Sequence, residues 1–181
     1  MAGGQSSRMG GQDKGLIKLH GKTLIEQIIE QISPQLERVI INANRNREQY
    51  QQFGLPVIKD KMPGFQGPLA GILTALDTVN TEFIITLPCD GPQLAADYVA
   101  RLSTTLAENS AEIAVAHDGF RMQQMYALIP ASLTVDLTAF LKQGNRAIKL
   151  WLAQHKVAIA DFSDYPEMFL NINTDEELRN L

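Results

Sequence analysis

The chain opens on a glycine-rich cationic loop, Ala2-Gly3-Gly4-Gln5-Ser6-Ser7-Arg8-Met9-Gly10-Gly11-Gln12-Asp13-Lys14. The pairs Gly3-Gly4 and Gly10-Gly11 let the backbone turn through positive φ and bring its N–H groups close to an anion. Arg8 adds a planar fork of donors suited to phosphate oxygens, and Lys14 adds a mobile point charge. A loop so equipped holds a polyphosphate and stabilises charge as one phosphate bond breaks. A loose cationic terminus is the plain alternative, but the sequence turns firmly apolar directly after the loop.

The spacing excludes two common phosphate loops. An ATPase-type loop ends in Gly-Lys-Ser or Gly-Lys-Thr, whereas Lys14 is followed by Gly15, and the loop has no Gly-x-Gly-x-x-Gly run. Composition predicts one domain over residues 1–181, since 181 residues at 45% hydrophobic suffice for a single sizeable core. A net charge of −4 argues against a nucleic-acid surface, so any phosphate binding is local. The lone Cys89 excludes an internal disulfide and agrees with a reducing cytoplasm. No apolar run approaches the ~20 residues of a membrane span, and no signal peptide is expected before the first element.

Periodicity predicts alternating helices and strands. Thr23-Leu24-Ile25-Glu26 reads as a capping box, with Leu24, Ile25, Ile28, Ile29 and Ile32 on one helical face and Pro34 as the stop. Val39-Ile40-Ile41 is a short strand entering Asn42-Ala43-Asn44-Arg45. A polar helix follows over residues 48–53, then the strand Val57-Ile58 leads to Asp60. Pro68 suits the first turn of a helix carrying Leu69, Ile72, Leu73 and Leu76. Phe83-Ile84-Ile85-Thr86-Leu87 is the strongest strand, apolar as a buried parallel strand should be. Leu94, Val99, Leu102 and Leu106 mark a helix, and Ile113-Ala114-Val115 a strand. The Asp118-Gly119 turn then returns residues 124–129 antiparallel. Leu137, Phe140 and Leu141 define a helix that stops at Gly144, and Ile148, Trp151 and Leu152 another. Residues 157–162 form a last strand, and Thr174-Asp175-Glu176-Glu177 caps a terminal helix. The pattern predicts an α/β fold: a mainly parallel sheet, helices on both faces and one antiparallel hairpin.

In such a sheet, ligands bind beyond the carboxyl ends of the strands. The polar groups following the expected strands are Asn42-Ala43-Asn44-Arg45, Asp60 and Cys89-Asp90-Gly91, which should converge on the rim with the glycine loop. Asp90 is placed to hold Mg²⁺, an ion that takes few protein carboxylates and leaves places for phosphate and water. A turn-starting Asx residue is its alternative, and Asp60 is a weaker candidate of the same kind. Asn42 and Asn44 have the amides to read a base edge or simply to cap a loop. Gly67-Pro68-Leu69-Ala70-Gly71 either brings a helix start to a second substrate or is a plain turn and helix entry. His20, His117 and His155 lack metal-ligand spacing and are expected at the surface. Cys89 is expected to pack beside the site, and Trp151 in the core.

Residues 2–14 resemble the signature of the nucleotidyltransferases, Leu-Ala-Gly-Gly-x-Ser-x-Arg-Met-Gly followed by Asp-Lys, with Met1 in place of the leading leucine. In proteins carrying it, a buried apolar strand runs directly into the loop at the centre of the sheet. Here one residue precedes the loop, so the expectation is either a start internal to the natural product or two unpaired strand edges flanking an apolar slot. The mass of the native protein distinguishes them. Across nearly its whole length the chain is similar to the bacterial molybdenum cofactor guanylyltransferases. The similarity includes residues 39–45, 67–71 and 87–91 and Phe169-Leu170-Asn171-Ile172-Asn173-Thr174.

That resemblance implies a Rossmann-like nucleotidyltransferase fold and Mg²⁺-dependent transfer of GMP from GTP to molybdopterin, releasing pyrophosphate. It assigns Met1, Ala2, Gly3, Lys14, Asn42, Asp60 and Asp90 to GTP, and Asp90 also to the metal. It assigns Gly71, Asn171 and Asn173 to the pterin, and makes Arg8, Lys14 and Asp90 the catalytic set. The attacking group would be the pterin's terminal phosphate, so no protein nucleophile is needed. A cytoplasmic enzyme is implied, free of nucleic acid and membrane, whose product passes to a chaperone or an apo-molybdoenzyme. Cytidylyltransferases of the same pathway usually carry Ala-Ala-Gly where this chain has Ala2-Gly3-Gly4, and a glycine at the second position leaves room for a purine. A cytidylyltransferase or a sugar-phosphate nucleotidyltransferase is the enzyme alternative, and a non-catalytic nucleotide-binding regulator the alternative of another class. Lys14 together with Asp90 speaks against the regulator, since binding alone needs no charge clamp with a metal ligand.

Overall fold

The capping box at Thr23 starts the first helix of the computed structural model, which describes residues 1–2, 13–64 and 66–170. Thr23 Oγ1 accepts from the Glu26 N–H at 3.3 Å, and the Glu26 carboxylate accepts from the Thr23 N–H at 2.6 Å. The helix α1 (Leu24–Ile32) is too short to persist alone; burial of Leu24, Ile25, Ile28 and Ile32 holds it. It ends in a 3-10 turn at Ser33–Gln35 that contains Pro34. Before it lies a hairpin the periodicity does not reveal, β1 (Lys18–Leu19) against β2 (Lys22–Thr23). Its turn residues His20 and Gly21 both have positive φ, 52° and 85°. Two-residue strands carry too little alternation to register as a pattern.

The strands β3 (Ile41–Asn42) and β4 (Val57–Ile58) pair in parallel, with α2 (Arg47–Gln51) between them in sequence. Val39 and Ile40 were expected in β3 but lie outside it, because β4 offers partners only to Ile41 and Asn42; Val39 instead packs into the core beside α1. The main sheet has the order β5 (Phe83–Thr86), β7 (Met122–Pro130), β6 (Ile113–His117), β8 (Val157–Asp161). Strands β6 and β8 are parallel, and β7 returns antiparallel after the Asp118-Gly119 turn. The expectation of β5 as a fully buried parallel strand is corrected: it pairs antiparallel with β7, and Phe83, Ile84 and Ile85 are only half-buried. Among the described residues its other edge has no ladder partner. Beside that edge, Phe83, Ile85, Leu36, Val99, Leu106 and Leu128 line an apolar cavity of about 550 Å³.

Helices cover both faces, and period-two alternation decides which residue meets which layer. Ala114 and Ala116 of β6, with Tyr126 and Leu128 of β7, face α4 (Tyr98–Glu108) and α1. Ile113, Val115, Ala127 and Ile129 face α3 (Pro68–Leu76), α5 (Thr134–Lys142) and α6 (Ile148–Leu152). Trp151 is fully buried in this second layer, as expected. Pro68 occupies the first turn of α3, and Gly144, at φ 88°, follows α5. Leu94 is buried but precedes α4 rather than belonging to it. The terminal helix expected from residue 174 lies outside the described residues.

Thr23→Ala should lower stability by about 1 kcal/mol, read as a shift in the urea midpoint. Hydrogen bonds from Thr23, side chain first and backbone second, hold the Glu26 carboxyl below its ordinary value. Its contribution is therefore complete above the ordinary glutamate value and lost as pH falls through the lowered one. The gap between wild type and Thr23→Ala should narrow over that window and stay constant above it, because the bond from the Glu26 N–H to Thr23 Oγ1 does not titrate.

Candidate active site

Because both faces of the sheet are covered, polar side chains collect beyond the strand ends. Three strands deliver them: β3 ends at Asn42, β4 leads to Asp60, and β5 leads through Leu87 and Pro88 to Asp90. Met1 and Ala2 span these ends. The Met1 nitrogen donates to the Leu87 carbonyl at 2.8 Å, Ala2 N–H donates to the Asn42 carbonyl at 2.8 Å, and Ala2 bridges Ala43 in parallel.

Lys14 and Asp90, 76 residues apart in sequence, meet here: Lys14 Nζ lies 3.3 Å from Asp90 Oδ2, both side chains about one-fifth exposed. Lys14 begins a 3-10 turn, Lys14–Leu16, whose residue Gly15 has no room for a side chain. A Cβ there would sit 2.6 Å from Tyr50 Oη and 3.1 Å from Cys89 Sγ. Asp13, just before Lys14, is buried and accepts from Tyr50 Oη at 2.6 Å and from Asn46 Nδ2 at 3.1 Å.

Asp60 forms the second cluster. Its carboxylate accepts from Asn42 Nδ2 at 3.0 Å and Asn44 Nδ2 at 2.7 Å, while Asn44 Oδ1 accepts from the Asp60 N–H at 2.9 Å. Asn44 spends both ends of its amide on Asp60, so it caps the loop and orients a carboxylate. Gly71, in α3, is buried against Asn42 and Met1: a Cβ there would lie 2.6 Å from Asn42 Oδ1 and collide with Met1 Cε. Met1, Ala2, Asn42, Asp60 and Gly71 thus form one group, and Lys14 and Asp90 the neighbouring one. Gly3, Arg8, Asn171 and Asn173 lie outside the described residues.

The Asp90 loop is held from α1 and from the 3-10 turn that ends it. Gln31 donates to the Pro92 carbonyl at 2.8 Å and accepts from the Leu94 N–H at 2.8 Å; Gln35 bonds the Ala95 carbonyl and the Val99 N–H in the same way. Gln31 thus partners an otherwise irregular segment, and Gln35 satisfies a free N–H in the first turn of α4. On the other side Gly91 lies under the chain's last described turn, where a Cβ would come within 3.2 Å of the Leu170 carbonyl and 3.3 Å of the Met168 carbonyl. Tyr126 Oη donates to that Met168 carbonyl at 3.0 Å. Arg101 anchors the same segment through Asp164 and stacks 4.5 Å over Phe162. Residues 162–170 are so led to the rim beside Asp90.

The sequence did not single out Tyr50, Asn46, Gln31, Gln35 or Tyr126 for the site, and Asp13 entered only as the aspartate of the Asp-Lys pair that closes the signature. The glutamines leave a faint trace, Gln31 and Gln35 recurring four residues apart across the end of α1. Cys89 is buried beside the site, as expected, and desolvation first of all pushes its thiol up to about 12. His155 is a correction: its ring is buried, edge-on to Trp151, with Nε2 3.1 Å from Asp136 Oδ1. Asp136 also accepts from Trp151 Nε1 at 2.7 Å, which draws the imidazole inward.

The family described as the MobA-like NTP transferase domain matches residues 1–158. A molybdenum cofactor guanylyltransferase of Shewanella sp. (strain MR-4) is 47% identical over all of this chain and 92% of its own length. That of Shewanella halifaxensis (strain HAW-EB4) is 45% identical over all of this chain and 90% of its own. Among solved structures, the molybdopterin-guanine dinucleotide biosynthesis protein A of Archaeoglobus fulgidus superposes with a TM-score of 0.79 at 22% identity, covering 98% of this chain and 92% of that one. The 2-C-methyl-D-erythritol 4-phosphate cytidylyltransferase of Thermus thermophilus gives 0.71 at 15% identity, covering 92% and 91%. These structural likenesses establish a nucleotidyltransferase fold, shared by enzymes of different bases.

Gly15→Ala should destabilise the fold by about 1–3 kcal/mol, since the buried Tyr50 ring cannot retreat; a urea titration measures it. Cys89 should alkylate with iodoacetamide at pH 8 at least about a hundredfold more slowly in the folded protein than in urea, because a thiol held up near 12 offers little thiolate.

Proposed function

The chain belongs to the family of the MobA-like NTP transferase domain, and from that membership we propose that it transfers GMP from GTP to molybdopterin, forming the guanine dinucleotide cofactor and pyrophosphate. The observation that carries this reading is identity of 45–47% along the whole chain with molybdenum cofactor guanylyltransferases. The Lys14–Asp90 pair at the rim is the chemistry such a transfer needs.

An oxygen of the pterin's terminal phosphate bonds to the α-phosphorus of GTP. The bond from that phosphorus to the oxygen bridging the β-phosphate breaks, and its electron pair leaves with pyrophosphate. A phosphate monoester is already ionised near neutral pH, so the protein's work is alignment and charge stabilisation. Lys14 and Arg8 neutralise the triphosphate. Asp60, fixed by Asn42 and Asn44, and the backbone of Met1, Ala2 and Gly3 hold the nucleoside end. Gly71, Asn171 and Asn173 serve the pterin end.

The donor set fits Mg²⁺. Asp90 offers hard carboxylate oxygens at a partly open position, and among the described residues no group of three or more His, Cys, Asp or Glu side chains forms a protein cage. That suits an ion that keeps water and substrate phosphate among its ligands. Asp90 would hold it, and when bound it draws charge from the phosphate oxygens. No helix among the described residues is long and apolar enough to cross a membrane. We place the enzyme in the cytoplasm, passing its product to a chaperone or an apo-molybdoenzyme.

Pyrophosphate release should require molybdopterin and Mg²⁺ and should be supported by GTP but not by CTP or ATP. Release with CTP would move the base, and silence from folded protein with all three would overturn the reaction. Asp90→Ala should abolish the Mg²⁺-dependent rate. Lys14→Ala should lower kcat about a hundredfold or more, while GTP binding weakens far less.

A further inference from the structure

Asp13 is a buried carboxylate that the proposed chemistry leaves without a task. It is 7% exposed, and among the described residues it is in no ion pair. A carboxylate in that position is expensive unless donors satisfy it, and two do: Tyr50 Oη at 2.6 Å and Asn46 Nδ2 at 3.1 Å. Both come from one place. Asn46 sits before α2 in the left-handed region, at φ 52°, and Tyr50 lies within α2, fully buried. The same hydroxyl also fills the space in front of Gly15. The two neighbours of Lys14 are thus gripped by one rigid phenol, and the chain between them has little freedom except along the Lys14 side chain itself. The Asp13 carbonyl closes the turn by accepting from the Leu16 N–H at 3.0 Å.

We propose that Asp13 is a positioning residue of this site: clamped by Tyr50 and Asn46, it fixes the backbone from which Lys14 reaches Asp90 and the nucleotide phosphates. The inference rests on the nucleotidyl-transfer reading above and adds a residue to it. A carboxylate suits the task because it is acceptor-only and takes both donors at once. An asparagine in its place turns an N–H₂ toward one of them, and Tyr50→Phe removes the hydroxyl that makes the shorter bond and fills the space in front of Gly15, while keeping the buried ring.

The test is a double-mutant cycle on the full chain with GTP, Mg²⁺ and molybdopterin. Asp13→Asn and Tyr50→Phe should each lower kcat about tenfold while KM for GTP stays within about twofold. In a Lys14→Ala background each should cost less than about twofold, because the group they position is gone. Equal losses in both backgrounds, or no loss in either, would overturn the proposal. Should Asp13→Asn fail to fold by circular dichroism, Tyr50→Phe carries the test. A second measurement needs no turnover: the isotope-labelled signal of reductively dimethylated Lys14, assigned by its loss in Lys14→Ala, should shift in Tyr50→Phe, and an unmoved signal refutes the role. If the wild-type chain forms no pyrophosphate, the reaction assignment fails while this signal still decides the positioning role.

Discussion

Covering a sheet on both faces leaves nowhere within its layers for charge, and the rest of this molecule follows from that. Ile113, Val115, Ala127 and Ile129 on one side and Ala114, Ala116 and Leu128 on the other close both interiors to water. An unpaired ion inside would cost several kcal/mol, so the polar residues gather where the strands run out. There the main chain changes direction, and side chains from distant segments come within contact. Lys14 and Asp90 reach 3.3 Å at that edge without either being dragged through the core.

Rigidity at the edge is supplied by side chains bonding to main chain rather than by further strands. Gln31 gives the Pro92 to Leu94 segment the partners a ladder would have given it, and Gln35 ties Ala95 to the first turn of α4. Thr86 does the same at the irregularity between β6 and β7, its hydroxyl donating to the Met125 carbonyl at 2.9 Å. Tyr126 ties down the Met168 carbonyl above Gly91. An in-line transfer loses rate steeply with small misplacements, so fixed loops of this kind suit the reaction proposed.

Elements with a strong local signal were legible. The Thr23 box, the stop at Pro34, the helix entry at Pro68 and the Asp118-Gly119 turn each act within a few residues, and all are formed. Short elements were not: β1 and β2 are two residues each, and their His20-Gly21 turn lacks the usual Asn-Gly or Asp-Gly pair. The orientation of β5 was read from its apolar run alone, which a half-buried strand beside β7 satisfies equally well. His155 looked like a surface residue because nothing local announces Asp136, which receives both it and Trp151.

The sequence by itself determined the α/β pattern and supplied the candidates Lys14, Asn42, Asp60 and Asp90. Each follows from composition and spacing within a short window, or from a position just after an apolar run. Tertiary structure alone decided which of these meet. It joined Lys14 to Asp90 across 76 residues, set Asn42 and Asn44 on Asp60, and placed Gly71 against Met1. It also gave Asp13 its partners, Tyr50 lying 37 residues away. A buried carboxylate and the phenol that satisfies it carry no shared local signal, because their relation is set by how α2 packs on the loop and not by any spacing along the chain.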